Sequence, residues 1–209
     1  SGNILTDGNN IEVKVEDAFE NVDNNSGNTT DPNYDYETIS SVSEFYAAVD
    51  KLEQGGEYNY IVISDLNIDT TPITRLAATR STTGTKKVTI DLNGKTITAE
   101  LKQEGRHHYA IDNYGTLTLK NGTIIARGVE NFGTMVIEEG VTITNIDTNG
   151  GSAIWNEGDL VINGGTVNAQ ACATSGDAGI DSDKGIYING GKVIATGNML
   201  DSEGWYSSR

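Results

Sequence analysis

Short segments in which apolar and polar residues alternate recur along most of the chain. Four of them align in register, at residues 110–126, 129–144, 153–169 and 179–195. Their apolar pairs then coincide, as Leu117/Leu119, Met135/Ile137, Leu160/Ile162 and Ile186/Ile188. Alternation with a period of two predicts β-strands that bury one side. Two looser copies, at 60–71 and 88–99, extend the series toward the N-terminus.

The spacing of these copies predicts a solenoid. The copies start roughly 18 to 29 residues apart, and the differences fall in polar inserts. Each copy has too few apolar residues to form a core alone, so the copies must stack. We therefore predict an all-β fold, a right-handed parallel β-helix of about six coils over residues 59–209. The hand follows the usual chirality of parallel crossovers.

One helix is predicted ahead of the repeats. Apolar residues recur there at spacings of three and four, as Val42, Phe45, Val49 and Leu52. Ser41 and Glu44 have the spacing of a capping box, and Gly55 and Gly56 end the pattern. We expect residues 39–58 to form an N-terminal capping helix that covers one open end of the core.

The two ends of the chain are less regular. Residues 1–38 are predicted to be a polar lead-in, with one strand where Ile11, Val13 and Val15 alternate. The Asn-, Asp- and Thr-rich part that follows is typical of a linker, and a tether and an ordered extension both remain open. At the other end, "MLDSEGWY" (199–206) is expected to cap the solenoid, unless the chain is a fragment of a longer protein.

A polar column accompanies the apolar ones. Asn113, Asn131, Asn156 and Ser182 occupy one position in four successive copies. Stacked amides can hydrogen-bond along the solenoid axis, so we predict a structural role for them. The residues beside them should point outward. That outward set is Asp112, Tyr114, Glu130, Phe132, Trp155, Glu157, Asp181 and Asp183.

Two kinds of chemistry suit this outward set. Aromatic rings pack on the apolar faces of sugars, so Tyr114, Phe132 and Trp155 are candidate ligand-binding residues. Asp112, Glu130 and Glu157 are the carboxylates that would bond hydroxyl groups beside them. Alternatively, the aromatic side chains are covered by a loop or by the lead-in. The second kind is metal binding, where Asp177, Asp181 and Asp183 offer hard oxygen ligands of the sort that Ca²⁺ takes. Aspartates are equally common in tight bends, and both interpretations of these three remain open.

Composition narrows the choice of partner. The 30 acidic and 14 basic side chains give a net charge of −16, which disfavours nucleic acid and anionic membranes. A single cysteine excludes an internal disulfide framework. The absence of a long apolar run argues against membrane insertion.

The last repeat also carries a resemblance. "GDAGIDSDKGIYINGGKVIATG" (176–197) resembles a motif of bacterial surface β-helix proteins with carbohydrate-binding or adhesin character, within the pectate-lyase-like superfold. The likeness covers residues 153–198 specifically, and Lys184 stands where that motif has glycine. It implies a right-handed β-helix at the cell surface or outside the cell. The implied partner is polysaccharide, acidic types included, with bound calcium.

Catalysis is the remaining alternative, since the superfold includes polysaccharide lyases. A lyase needs calcium and a basic residue. The candidate bases are Arg106, His107, His108, Lys120, Arg127 and Lys184. None forms a recognisable catalytic motif, so we expect a non-catalytic module that binds polysaccharide. The alternatives are a structural stalk or adhesin segment that contacts surface proteins and, after it, a weak lyase.

Overall fold

The computed structural model describes twelve stretches of the chain. They are residues 3–7, 10–14, 35–50, 56–68, 86–99, 102–103, 106–107, 109–147, 150–172, 177–196, 201–202 and 205–206. The side chains are described within 35–48, 57–68, 87–99, 109–147, 150–172 and 177–196. His108, Met199, Leu200 and Leu52 therefore lie outside the described residues, as does most of the predicted linker.

The fold is a parallel β-solenoid of about five turns, built from three faces. The first face contains β3 (Glu37–Ile39), β4 (Gly56–Val62), β6 (Lys86–Asp91), β15 (Asp159–Ile162), β18 (Ile186–Ile188) and β21 (Trp205–Tyr206). The second contains β5 (Leu66–Asn67), β7 (Thr96–Thr98), β16 (Thr166–Gln170) and β19 (Lys192–Thr196). Two long strands run across both, β11 (Thr116–Ala126) and β13 (Thr134–Asn145). The third face contains β10 (Ile111–Asn113), β12 (Val129–Asn131), β14 (Ile154–Asn156), β17 (Ile180–Ser182) and β20 (Asp201–Ser202).

The core confirms the predicted register. The four apolar pairs lie opposite one another in neighbouring strands, and each of these side chains is at most 1% exposed. On the third face Ile111, Val129, Ile154 and Ile180 are also fully buried. Each coil therefore adds its inward residues to one continuous core. Burial of such side chains stabilises the fold by roughly 1.5–3 kcal/mol each.

At the bend between the first and second faces, the pairing of β11 with β13 differs in one detail from the alignment of the sequence repeats. If the register of the Leu117/Met135 pair continued, Gly122 would lie opposite Gly140, but Gly122 pairs with Val141. The cause is a bulge after Lys120, in which β13 has one extra residue. The left-handed backbone position is then held by Asn121 and Glu139 in these two coils, with φ of 60° and 59°.

The predicted helix forms and is shorter than its pattern. It is α1 (Val42–Asp50), and it connects β3 to β4, which pair in parallel at the start of the first face. Phe45 and Ala48 are buried in the solenoid core, and Val42 packs against it. The helix therefore covers the first coil, as a capping element should.

The capping box is also present. The Glu44 backbone N–H donates to the Ser41 hydroxyl oxygen at 3.3 Å, and the Ser41 N–H donates to the Glu44 carboxylate at 3.2 Å. Ser40 donates to the same carboxylate oxygen through its backbone N–H and its hydroxyl group, at 2.6 and 2.8 Å. These bonds satisfy donors that the first turn of a helix leaves open.

The N-terminal lead-in contains a strand hairpin. β1 (Asn3–Asp7) and β2 (Asn10–Lys14) are antiparallel, and β2 also pairs antiparallel with β19 in the last full coil. The strand predicted around Ile11 is thus confirmed. A further short hairpin joins β8 (Lys102–Gln103) and β9 (Arg106–His107) in the insert before the third face begins.

The solenoid has about five turns, fewer than the six coils expected from the sequence. In the described part of the chain the third face begins only at Ile111, so the earliest copies supply strands to the other two faces.

Candidate functional site

The predicted aromatic side chains contact one another along the third face, where Tyr114 also packs against the core. Tyr114 and Phe132 follow β10 and β12 directly, and their rings stack with centroids 4.6 Å apart and planes 8° apart. Trp155 lies in β14, and its ring meets that of Phe132 edge-on at 6.2 Å and 62°. All three side chains are partly exposed. We call this set the aromatic ladder.

The in-register pairing of the coils explains why the rings of Tyr114 and Phe132 stack. The N–H of Phe132 donates to the Asn113 carbonyl at 2.8 Å, and the N–H of Glu157 donates to the Asn131 carbonyl at 2.8 Å. The turn after each third-face strand is therefore repeated from coil to coil. The residue that follows the asparagine consequently occupies one column along the axis.

The asparagine column lies just inside this surface and forms the predicted ladder. The Nδ2 of Asn113 donates to Oδ1 of Asn131 at 2.8 Å, and the Nδ2 of Asn131 donates to Oδ1 of Asn156 at 2.6 Å. The Nδ2 of Asn156 then donates to the Ser182 hydroxyl oxygen at 2.8 Å. The three asparagines are fully buried. Their role is structural, because their polar groups are used within the protein.

The acidic residues near the aromatic ladder divide into two groups. Glu130 and Glu157 are partly exposed on the outer surface, as predicted. Asp112 differs from the prediction, because it is only 3% exposed. Strand alternation sets the direction of a side chain but not what lies over it. We therefore leave Asp112 out of the candidate binding surface.

The three predicted calcium ligands, Asp177, Asp181 and Asp183, have different surroundings in the structure. The carboxylate of Asp177 accepts a hydrogen bond from the Gly151 N–H at 2.6 Å, which ties it to the preceding coil. Asp181 lies in β17 beside Trp155, and Asp183 is exposed in the turn that follows. Among the side chains that the structure describes, no three acidic, histidine or cysteine residues are grouped as metal ligands. A calcium site at these three residues therefore stays a prediction.

Two of the candidate bases have partners of their own. Lys120 donates to the Tyr36 hydroxyl oxygen at 3.3 Å and lies 3.8 Å from the Asp91 carboxylate. Burial lowers the pKa of Lys120, but the contacts with Tyr36 and the nearby acids outweigh burial and raise it. Lys120 is therefore a poor proton acceptor. The Arg127 guanidinium lies 4.6 Å from the centre of the Tyr109 ring.

Of the other candidate bases, only Lys184 has a described side chain. His107 belongs to β9 and pairs with Lys102, but its side chain is not among those described, nor is that of Arg106. Lys184 is exposed beside Asp183.

A second feature was not predicted from the sequence. A groove with a volume of about 360 Å³ lies on the outside of the first face and is lined by side chains from four neighbouring strands and by Tyr36. The only sequence feature that could have indicated the groove is the alternation of Thr and Lys residues in β6 and β11. Tyr36 could not be placed there, because its neighbours in sequence carry no repeat.

No family model, curated protein or solved structure matches this chain. Among the described residues, no helix is long and apolar enough to cross a membrane.

Proposed function

We propose that this protein is a non-catalytic module that binds polysaccharide at the cell surface or outside the cell. The observation that carries the proposal is the aromatic ladder, in which the partly exposed rings of Tyr114 and Phe132 stack along the axis and that of Trp155 meets them edge-on from the neighbouring column. A row of rings suits an extended ligand better than a compact one. Ring edges and faces supply apolar contact for sugar C–H groups.

The surroundings of the aromatic ladder suit the same ligand. Glu130 and Glu157 are partly exposed on its two sides and can accept hydrogen bonds from hydroxyl groups. The net charge of −16 disfavours polyanions at this surface. A neutral polysaccharide is therefore the favoured ligand, and an acidic one would need a bridging cation such as Ca²⁺.

One observation favours a second function, that of a structural stalk or adhesin segment. The nearly parallel rings of Tyr114 and Phe132 cover each other's faces. Stacking of this kind stabilises neighbouring coils even when no ligand is present. The two functions differ in what the loss of Trp155 should do.

The test is the variant Trp155→Ala, examined by affinity electrophoresis in gels that contain neutral or acidic polysaccharides. We expect at least one polysaccharide to retard the wild-type protein, and the variant to bind it about tenfold more weakly or worse. We expect only a modest loss of stability, of about 1–2 kcal/mol, because the ring is partly exposed.

The matched control is Tyr187→Ala, which removes a partly exposed aromatic ring from the first face. It should leave retardation unchanged. Each gel is run with Ca²⁺ and again with chelator, so that retardation lost on chelation would support a role for calcium. If no polysaccharide retards the wild-type protein, or if Trp155→Ala mainly destabilises the fold, the stalk function replaces the binding function.

A further inference from the structure

We infer that the groove on the first face is a second binding site, which takes one neutral, hydroxyl-rich unit such as a sugar residue. Its ligand class rests on the proposed function, but its location does not. The groove lies on a different face from the aromatic ladder, so the two sites can be tested separately.

The floor of the groove is made by outward side chains at matching positions of neighbouring strands. Asn59 of β4 lies opposite Thr89 of β6, which lies opposite Thr118 of β11. In the adjacent column Lys87 lies opposite Thr116. The floor is therefore a row of amide and hydroxyl groups at strand spacing, held in place by a fully buried layer beneath it.

Asn59 supplies the strongest indication that a ligand belongs here. Its Oδ1 atom is buried and has no hydrogen-bond partner within the described part of the chain. A buried acceptor without a donor costs free energy, and folded proteins seldom leave one in place. The Asn59 side chain is itself partly exposed in the groove lining, so a small rotation of the side chain would let a donor from a bound ligand, such as a sugar hydroxyl group, reach this atom.

A polar wall completes the groove. Tyr36 precedes β3 at the edge of the sheet and contacts the Lys120 ammonium group of β11, so the two side chains together span β4 and β6. Lys120 is held between the Tyr36 hydroxyl oxygen and the carboxylate of Asp91. This arrangement places two fixed polar groups beside the floor at no further ordering cost to a ligand.

The charges of the lining identify the class of ligand. Two lysines and two glutamates line the groove, Lys87, Lys120, Glu57 and Glu138, so their formal charges cancel. Such a lining offers donors and acceptors without selecting an ion. The volume of about 360 Å³ is near the lower end of the range for small-molecule sites, which is roughly 300–1,000 Å³. One sugar-sized unit suits both properties.

The experiment is an NMR titration of the protein with ¹³C-methyl-labelled threonine. The probes are the methyl glycosides of glucose, galactose and mannose, with L-alanine as a zwitterionic comparison. We expect at least one glycoside to shift the methyl signals of Thr89, Thr116 and Thr118. The signal of Thr134, which lies opposite Thr116 but outside the groove lining, should not move.

The matched variants are Asn59→Leu and Thr134→Val. Asn59→Leu should weaken the glycoside response about tenfold. It should leave the melting temperature unchanged or raise it, because it removes an unsatisfied acceptor. Thr134→Val should change neither quantity.

Three outcomes would overturn the inference. They are no glycoside response at the groove threonines, a response only to L-alanine, and a response that survives Asn59→Leu. Failure of the proposed function would look different. In that case no polysaccharide would retard the wild-type protein, but the glycosides would still shift the signals of the groove threonines. Conversely, retardation that depends on Trp155 without any groove response would leave the proposed function standing and remove only this second site.

Discussion

At the scale of single residues, the buried asparagine column makes the sharpest prediction about stability. Asn131 donates to Oδ1 of Asn156 at 2.6 Å and to the Asp159 carbonyl at 3.0 Å, and it accepts from Asn113. Asn131→Ala would leave buried polar atoms without partners. We expect it to lower the free energy of unfolding by about 2–3 kcal/mol, measured by chemical denaturation.

The chain contains a natural control for this prediction. Asn189 donates to Oδ1 of Asn163 at 2.9 Å across neighbouring coils, but this pair is exposed to water. Asn163→Ala should therefore change the free energy of unfolding by less than about 0.5 kcal/mol. Equal losses in the two variants would contradict the view that burial gives the asparagine column its importance.

The same column shows what sequence reasoning can predict at this scale. The asparagines were found because they repeat at one position in three successive copies, and hydrogen bonding along the axis follows from stacking alone. The position of Glu139 could not be found in this way. The bulge after Lys120 shifts the register by one residue, and only the pairing of β11 with β13 reveals it. The burial of Asp112 escaped prediction for a related reason, since alternation carries no information about covering groups.

At the scale of elements, the start of α1 predicts a dependence of stability on pH. The backbone N–H and hydroxyl group of Ser40 lower the pKa of Glu44, burial opposes them weakly, and Ser41 adds to the lowering. The ionised carboxylate is thus favoured in the folded state. Its contribution is fully present above the pKa of the unfolded chain and is lost as pH falls through the lower, folded pKa.

We therefore expect Glu44→Gln to flatten one part of the stability profile. As pH falls below about 4.5, the melting temperature of the wild-type protein should fall more steeply than that of the variant. The measurement is thermal unfolding by circular dichroism at a series of pH values. Parallel profiles for the two proteins would show that the capping box does not contribute through the charge of Glu44.

The helix and the strands were predicted from different features of the sequence. The helix was found because its apolar spacing and its capping box agree, and Phe45 is buried as that spacing requires. The strands were found because their pattern repeats. The groove was not predicted from the sequence. Its wall depends on the contact between Tyr36 and Lys120, and no local pattern indicates a contact between positions 84 residues apart.

At the scale of the whole molecule, the N-terminal hairpin addresses the main hazard of a solenoid. The last strand on the second face would otherwise present unpaired backbone groups, to which another chain could add. β2 pairs with β19 along its full length, and β1 then becomes the outer strand. The sequence pattern predicted the strand around Ile11 but not its partner, because the two segments lie near opposite ends of the sequence and share no local pattern.

We expect the full chain to be monomeric because the hairpin covers this edge, and we expect the protein to self-associate when the hairpin is removed. In a variant that lacks residues 1–14, the edge of β19 is left open, so we expect dimers and larger species that increase with concentration in sedimentation velocity experiments. Adding Ile194→Lys to the shortened protein should restore the monomer. That residue is partly exposed on β19, and a lysine on an edge strand discourages pairing between chains. A shortened protein that remains monomeric at all concentrations would show that the hairpin does not protect this edge.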